Sequence, residues 1–170
     1  MPLAVPLLSA ETFLRYQAAL GTKQKPEERG GEAEMPQYFA DRFGWEKLTA
    51  VVASVYAALP NGEREQCAII GSNYGQTGAI NYFGSRHGLP RAFSLHNNHF
   101  FWGPPPTEPN VVIHIGGSKE SLERFFGDVH LAAIVHSKHA MPYETNLPIF
   151  VCRNPKVPWA EAWRANKKFI

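Results

Sequence analysis

Between residues 48 and 59 the apolar residues larger than alanine are Leu48, Val51, Val52, Val55, Tyr56 and Leu59. That spacing, i, i+3, i+4, i+7, i+8 and i+11, gathers side chains on one face of an α-helix. Glu46, Lys47 and Ser54 face away from it, and Pro60-Asn61-Gly62 ends the helix. A different pattern follows at residues 67–70, where Cys-Ala-Ile-Ile is an unbroken apolar run without alternation. Such a run predicts a strand covered on both faces by helices. Four more strands are expected at 91–95, 111–115, 130–135 and 148–152.

Helical stretches separate some of these strands. Residues 77–87 predict a helix with Ala79, Ile80, Tyr82 and Phe83 turned inward, closed by Gly88-Leu89-Pro90. Ser118 is a credible N-cap for a short crossover helix with Glu120 in its first turn, and Pro158 stands in the first turn of a terminal helix to about Phe169. The order β-α-β-β-α-β-β-α implies an α/β fold, a three-layer Rossmann-like domain on a mostly parallel or mixed five-stranded sheet. The links at 96–109 and 137–147 read as free of helix, and Pro104-Pro105-Pro106 forbids one in the first. A strand reached without a crossover helix can run antiparallel, and the fifth is the expected one.

Upstream, residues 9–20 predict a short helix with Ser9 at the N-cap and Gly21 just past its end. From Gly21 to Glu34 the chain is rich in Lys, Glu, Gly and Pro, the composition of a flexible linker. The expected organisation is an N-terminal helix and linker over 1–34 and a single α/β domain over 35–170.

Composition changes this picture little. A chain of 170 residues with 44% hydrophobic and 19% charged residues is long enough to bury a core and far from the disordered class. A net charge of +2 with scattered basic residues implies neither a nucleic-acid nor an anionic-membrane partner. Lys167-Lys168 is read as the complement of a helix dipole. Residues 1–8 are apolar but carry two prolines and no basic segment, so they read as neither signal peptide nor spanning helix, and the chain as given is expected to be soluble. Cys67 and Cys152 lie in separate predicted strands without metal-ligand spacing and read as small buried hydrophobes rather than a disulfide.

The chemistry concentrates after the first two strands. Gly71-Ser-Asn-Tyr-Gly75-Gln-Thr-Gly78 follows a strand and opens a helix, a context in which backbone N–H groups can hold a phosphate. Its GxxxGxxG spacing lacks both a P-loop lysine and a ribose-binding acid after the second strand, so no nucleotide cofactor is expected. The plainer reading is that glycines allow a tight turn. If the first two strands are parallel, Asn73, Tyr74, Gly75 and Gln76 meet His96, Asn97, Asn98 and Trp102 at one carboxyl edge of the sheet, the usual ligand crevice. Amides beside Tyr and Trp suit a neutral polyhydroxylated ligand such as a sugar, and the alternative is that the Asn side chains hold turns and Trp102 fills a hole. His96/His99 and His136/His139 are each three apart without a further ligand nearby, so no metal site is assigned. His114 and His130 read as partly buried strand residues with satisfied imidazoles. Asp41 and Glu144 are the carboxylates available for acid–base work.

Pro36-Gln-Tyr-Phe-Ala-Asp41-Arg-Phe-Gly-Trp45, Asn73-Tyr-Gly-Gln-Thr-Gly-Ala-Ile80, His96-Asn-Asn-His-Phe-Phe-Trp-Gly-Pro104 and Met141-Pro-Tyr-Glu144 resemble, in order, the C-terminal soluble region of bacterial family 39 glycosyltransferases. These are the dolichyl-phosphate-mannose-protein mannosyltransferase-like membrane proteins. The resemblance implies an accessory domain on the extracytoplasmic face, without transferase activity of its own. Its partners would be a glycan, an acceptor protein or the membrane-embedded portion of the enzyme. The class places its catalytic Asp in an early loop between membrane helices, and no such segment stands in this sequence. Two other readings remain open: a small enzyme on a sugar or phosphorylated ligand with Glu144 as acid or base, and a structural docking module.

Overall fold

The computed structural model describes residues 7–22 and 34–169. In chain order the elements are α1 (Ala10–Ala19), α2 (Gln37–Ala40), α3 (Trp45–Ala58), α4 (Asn61–Glu65), β1 (Cys67–Gly71), α5 (Tyr74–Phe83), β2 (Ala92–Phe93), β3 (Val111–Ile115), α6 (Lys119–Leu122), β4 (Phe126–Val135), β5 (Leu147–Pro155) and α7 (Trp159–Ala165). Short 3-10 turns occupy Gly84–His87, Asn97–Trp102 and Pro142–Glu144. Among the described residues no helix is long and apolar enough to cross a membrane. The apolar opening falls almost entirely, and the linker largely, outside the described residues.

The chain divides into two compact units, one of residues up to Gly44 together with His136–Asn146, the other of Trp45–Val135 and Leu147 onward. In the first, Phe13 of α1 and Phe39 of α2 are fully buried with ring centroids 4.5 Å apart, joined by Met35 in a small core. Ser9 caps α1 by accepting a hydrogen bond from the Thr12 N–H. His139 lies between Glu34 and Glu11, its Nδ1 3.2 Å from Glu34 Oε2 and its Nε2 3.6 Å from Glu11 Oε1.

The second unit is an α/β domain on a five-stranded mixed sheet in the order β2-β1-β3-β5-β4. β1 pairs parallel with β2 and with β3, while β5 pairs antiparallel with both β3 and β4. The antiparallel fifth strand is thus as expected. Alternate residues of β3 explain the layers: Val111, Ile113 and Ile115 pack on one face with Leu48, Val52 and Leu59 of the α3 region and Ile80 of α5. Val112 turns to the other face, with Leu122, Phe126, Phe150 and the Trp159 side chain of α7. Both faces are covered, as the unalternating β1 run predicts.

Several local expectations are corrected. α5 begins at Tyr74 rather than 77, because the Asn73 side chain accepts from the Gln76 N–H and caps the helix. In that frame Gln76, Thr77, Ala79 and Ile80 face inward and Tyr82 is 72% exposed, not buried. The links at 96–109 and 137–147 each hold a 3-10 turn, and a one-turn helix, α4, follows Pro60. The crossover helix stops at Leu122 because Phe125 and Phe126 leave for the second core cluster and Phe126 already pairs with Pro155. His130 is exposed on the edge strand β4. α7 ends at Ala165, and Lys168 instead makes a single parallel β-bridge to His96. Lys167 therefore does not serve a helix end; its Nζ lies 4.3 Å from the centre of the Phe169 ring.

Candidate functional site

β1 has β2 on one side and β3 on the other, so the order of strands reverses at its carboxyl end, where open α/β sheets form their ligand crevice. The turn after β1 is held by its own groups. The Ser72 N–H donates to Gln76 Oε1 at 3.0 Å, Asn73 Oδ1 accepts from the Gln76 N–H at 2.9 Å, and the Thr77 hydroxyl donates to the Asn73 carbonyl at 3.0 Å. These bonds satisfy much of what a helix start leaves open. Asn73 and Gln76 thus have structural tasks that any ligand role would have to share. Gly71 is required for packing, since a Cβ there would run into Thr77 Oγ1 and lie 3.1 Å from the Asn73 carbonyl oxygen. Gly75 lets the Trp45 ring approach, with a Cβ falling 3.1 Å from it.

The two predicted segments do come together. The Tyr74 N–H donates to His96 Nδ1 at 3.4 Å, and the two rings stack with centroids 5.2 Å apart and planes 7° from parallel. Three residues on, His99 packs on Trp102 with centroids 4.0 Å apart, and the Arg91 guanidinium lies 5.7 Å from the Trp102 ring centre. Tyr74 and Trp102 are 55% and 57% exposed while His96 is 4% exposed, so each outward aromatic ring rests on an imidazole. Burial, with the nearby Lys168 and His99, holds the His96 pKa below its ordinary value. Burial and Arg91 do the same for His99. Because His96 Nδ1 accepts from Tyr74, the neutral ring carries its proton on Nε2. That Nε2, and Nδ1 of His99, are buried without a hydrogen-bond partner among the described residues.

Asn97, the first residue of the 3-10 turn, has φ 50°, and its N–H donates to the Lys168 carbonyl at 2.8 Å. Asn98 is exposed on the same turn. Trp102 is not a hole-filler, given its exposure. Asp41 and Glu144 belong to the first unit. There Asp41 Oδ1 accepts from the Tyr143 hydroxyl at 3.4 Å, and Glu144 is 8% exposed in the turn after Met141.

A further feature lies on the second face of the sheet, between α6 and α7, and sequence reasoning did not find it. A cavity of about 420 Å³ runs from Gly71, Ser72 and Gly117, past the carboxyl ends of β1 and β3, to Pro155 beyond the level where β3 begins. Phe125, Phe126, Trp159 and Trp163 form much of its wall, with Arg124 and Lys168 also lining it. The Trp159 and Trp163 indole N–H groups donate to the carbonyls of Pro109 and Phe100, at 3.1 and 3.2 Å. Their i, i+4 spacing, which sets two indoles on one helix face, was the signal available in the sequence. His114 also lines the cavity, and its Nδ1 lies 3.0 Å from the Gly116 carbonyl, for which it is the donor. Burial pushes its pKa down to about 4, so the ring is neutral at pH 7 and Nε2 carries the lone pair. No family model, curated protein or solved structure matches the chain.

Proposed function

We propose that the chain is a non-catalytic, glycan-binding accessory domain of a glycosyltransferase-like membrane protein, facing the extracytoplasmic side. Its working surface is the rim formed by Tyr74, His96, His99 and Trp102. The observation that carries this reading is the pair of ring contacts, Tyr74 stacked on His96 and Trp102 tilted against His99. Each sets an exposed aromatic ring beside a neutral imidazole with one ring nitrogen unpartnered among the described residues. A sugar offers the complement, an apolar C–H face to lie on an aromatic ring and hydroxyls at its edge. A hydroxyl reaching His96 Nε2 or His99 Nδ1 would relieve a buried, unsatisfied polar atom. Burial holds both imidazoles below their ordinary pKa, so they meet a sugar's hydroxyls uncharged, beside the Arg91 guanidinium 5.7 Å from the Trp102 ring centre. Support for the glycosyltransferase setting comes from the four sequence strings, two of which form this rim.

The test is a binding screen against immobilised neutral oligosaccharides with the parent chain and the Tyr74→Ala and Trp102→Ala variants. Retention of a glycan by the parent and its loss in both variants is expected. Retention unchanged in both removes the rim as the working surface.

A further inference from the structure

We propose that the cavity between α6 and α7 is a second, separate binding site, and that it takes a small, flat, mostly apolar carboxylate. Size and lining define the body of the ligand. A space of about 420 Å³ is within the range of small-molecule pockets, roughly 300–1,000 Å³. Its walls are aromatic and aliphatic: Leu95, Leu122, Phe125, Trp159 and Trp163 around the floor formed by Ile70. Such walls favour a planar hydrocarbon body over a polyhydroxylated one.

Charge defines the other end. Among the described residues none that lines the cavity is acidic, and two, Arg124 and Lys168, are cationic. The acids next to lining residues in sequence stay outside the lining: Glu120 is exposed and hydrogen-bonded to Ser118, Glu123 pairs with Lys119 at 3.7 Å, and Glu161 is exposed in the first turn of α7. An anionic head is therefore attracted, a neutral one is indifferent, and an ammonium is repelled. The Arg124 side chain donates from Nε to the Ser121 carbonyl at 3.3 Å, which leaves its terminal guanidinium nitrogens available to a carboxylate. His114 adds no charge; with Nδ1 tied to Gly116 it offers Nε2 only as an acceptor.

The cavity is distinct from the rim. Among the residues of the aromatic rim, Tyr74, His96, His99 and Trp102, none lines it; Lys168 borders both sites, so Arg124→Gln alone and Trp102→Ala alone test them apart.

Isothermal titration of the full chain with 2-naphthoate, 2-naphthalenemethanol and 2-naphthylmethylamine holds the flat body constant and varies only the head. The expected order is carboxylate, then alcohol, with the amine weakest, and carboxylate over alcohol by about tenfold, the worth of one to two partly exposed ion pairs. The double variant Arg124→Gln/Lys168→Gln should bring the carboxylate to the level of the alcohol and leave the alcohol unchanged. Trp102→Ala should change neither. Absence of binding by all three probes at about 1 mM, equal binding of acid and alcohol, or an unchanged carboxylate affinity in the double variant would each overturn the proposal. Both substituted side chains lie at the protein surface, so the comparison does not depend on a core replacement folding.

Discussion

Protonation of His114 should weaken the fold, and the amount follows from where the ring sits. It is the fourth residue of β3, the central strand, and its Nδ1 donates to the Gly116 carbonyl at 3.0 Å. Burial lowers its pKa from 6.5 to about 4, against the smaller opposing effect of that hydrogen bond. Roughly 1.4 kcal/mol accompanies each pKa unit, so charging this ring in the folded state costs about 3 kcal/mol. The sign is fixed by linkage: between pH 4 and 6.5 the unfolded chain binds the proton and the folded chain does not. The contribution is fully present above pH 6.5 and is lost as pH falls from there to about 4. Urea unfolding between pH 8 and pH 4.5, with the parent and His114→Gln, measures it. Any packing lost in the Gln variant is the same at every pH, so the difference between the two proteins should change by about 2–3 kcal/mol in the variant's favour as pH falls. His96 and His99 are shifted in the same direction, but they are present in both proteins and cancel in the difference. Two stability curves that stay parallel across this range would refute the reasoning.

Three further outcomes follow from the same structure. Gly71→Ala should destabilise the second unit by about 1–3 kcal/mol, seen as a lower thermal midpoint, because its Cβ meets Thr77 Oγ1 and the Asn73 carbonyl. Asn73→Ala should cost about 1 kcal/mol in urea unfolding, since it removes the cap on α5. Cys67 and Cys152, with pKa values pushed up by burial to about 11 and about 12, should resist thiol reagents at pH 8 in the folded protein and react once urea is added.

The parts of the fold legible in the sequence are those where one physical cause dominates. The α3 face shows as a helical period because Leu48, Val52 and Leu59 are buried together. β1 shows as an unbroken apolar run because both its faces are covered. The antiparallel β5 follows from a link, 137–147, that reads as free of helix and is too short for a crossover. Where tertiary contacts decide, the pattern misleads. Tyr82 reads as inward from hydrophobicity alone, but the Asn73 cap sets the helix frame and turns it out. Phe125 and Phe126 continue a helical run by propensity, yet sheet pairing and the second core cluster take them. The 3-10 turn at Asn97–Trp102 is stabilised from 71 residues away by the bond between the Asn97 N–H and the Lys168 carbonyl, which no local window contains. Of the rim, the meeting of the two segments was legible from the parallel β1–β2 unit. The use of Asn73 and Gln76 in the turn, and the seating of Tyr74 and Trp102 on imidazoles, were not.

That seating is what the proposed function rests on, and a proton–nitrogen correlation spectrum recorded during titration with a neutral oligosaccharide retained in the screen tests it most directly. Trp102 is one of four tryptophans, and its indole signal is assigned by its loss in Trp102→Phe. The account predicts saturable movement of that signal together with the Tyr74 and His99 amides, while the indoles of Trp159 and Trp163 stay in place. Movement confined to Trp159 and Trp163, or none at the rim at any sugar concentration, would contradict it.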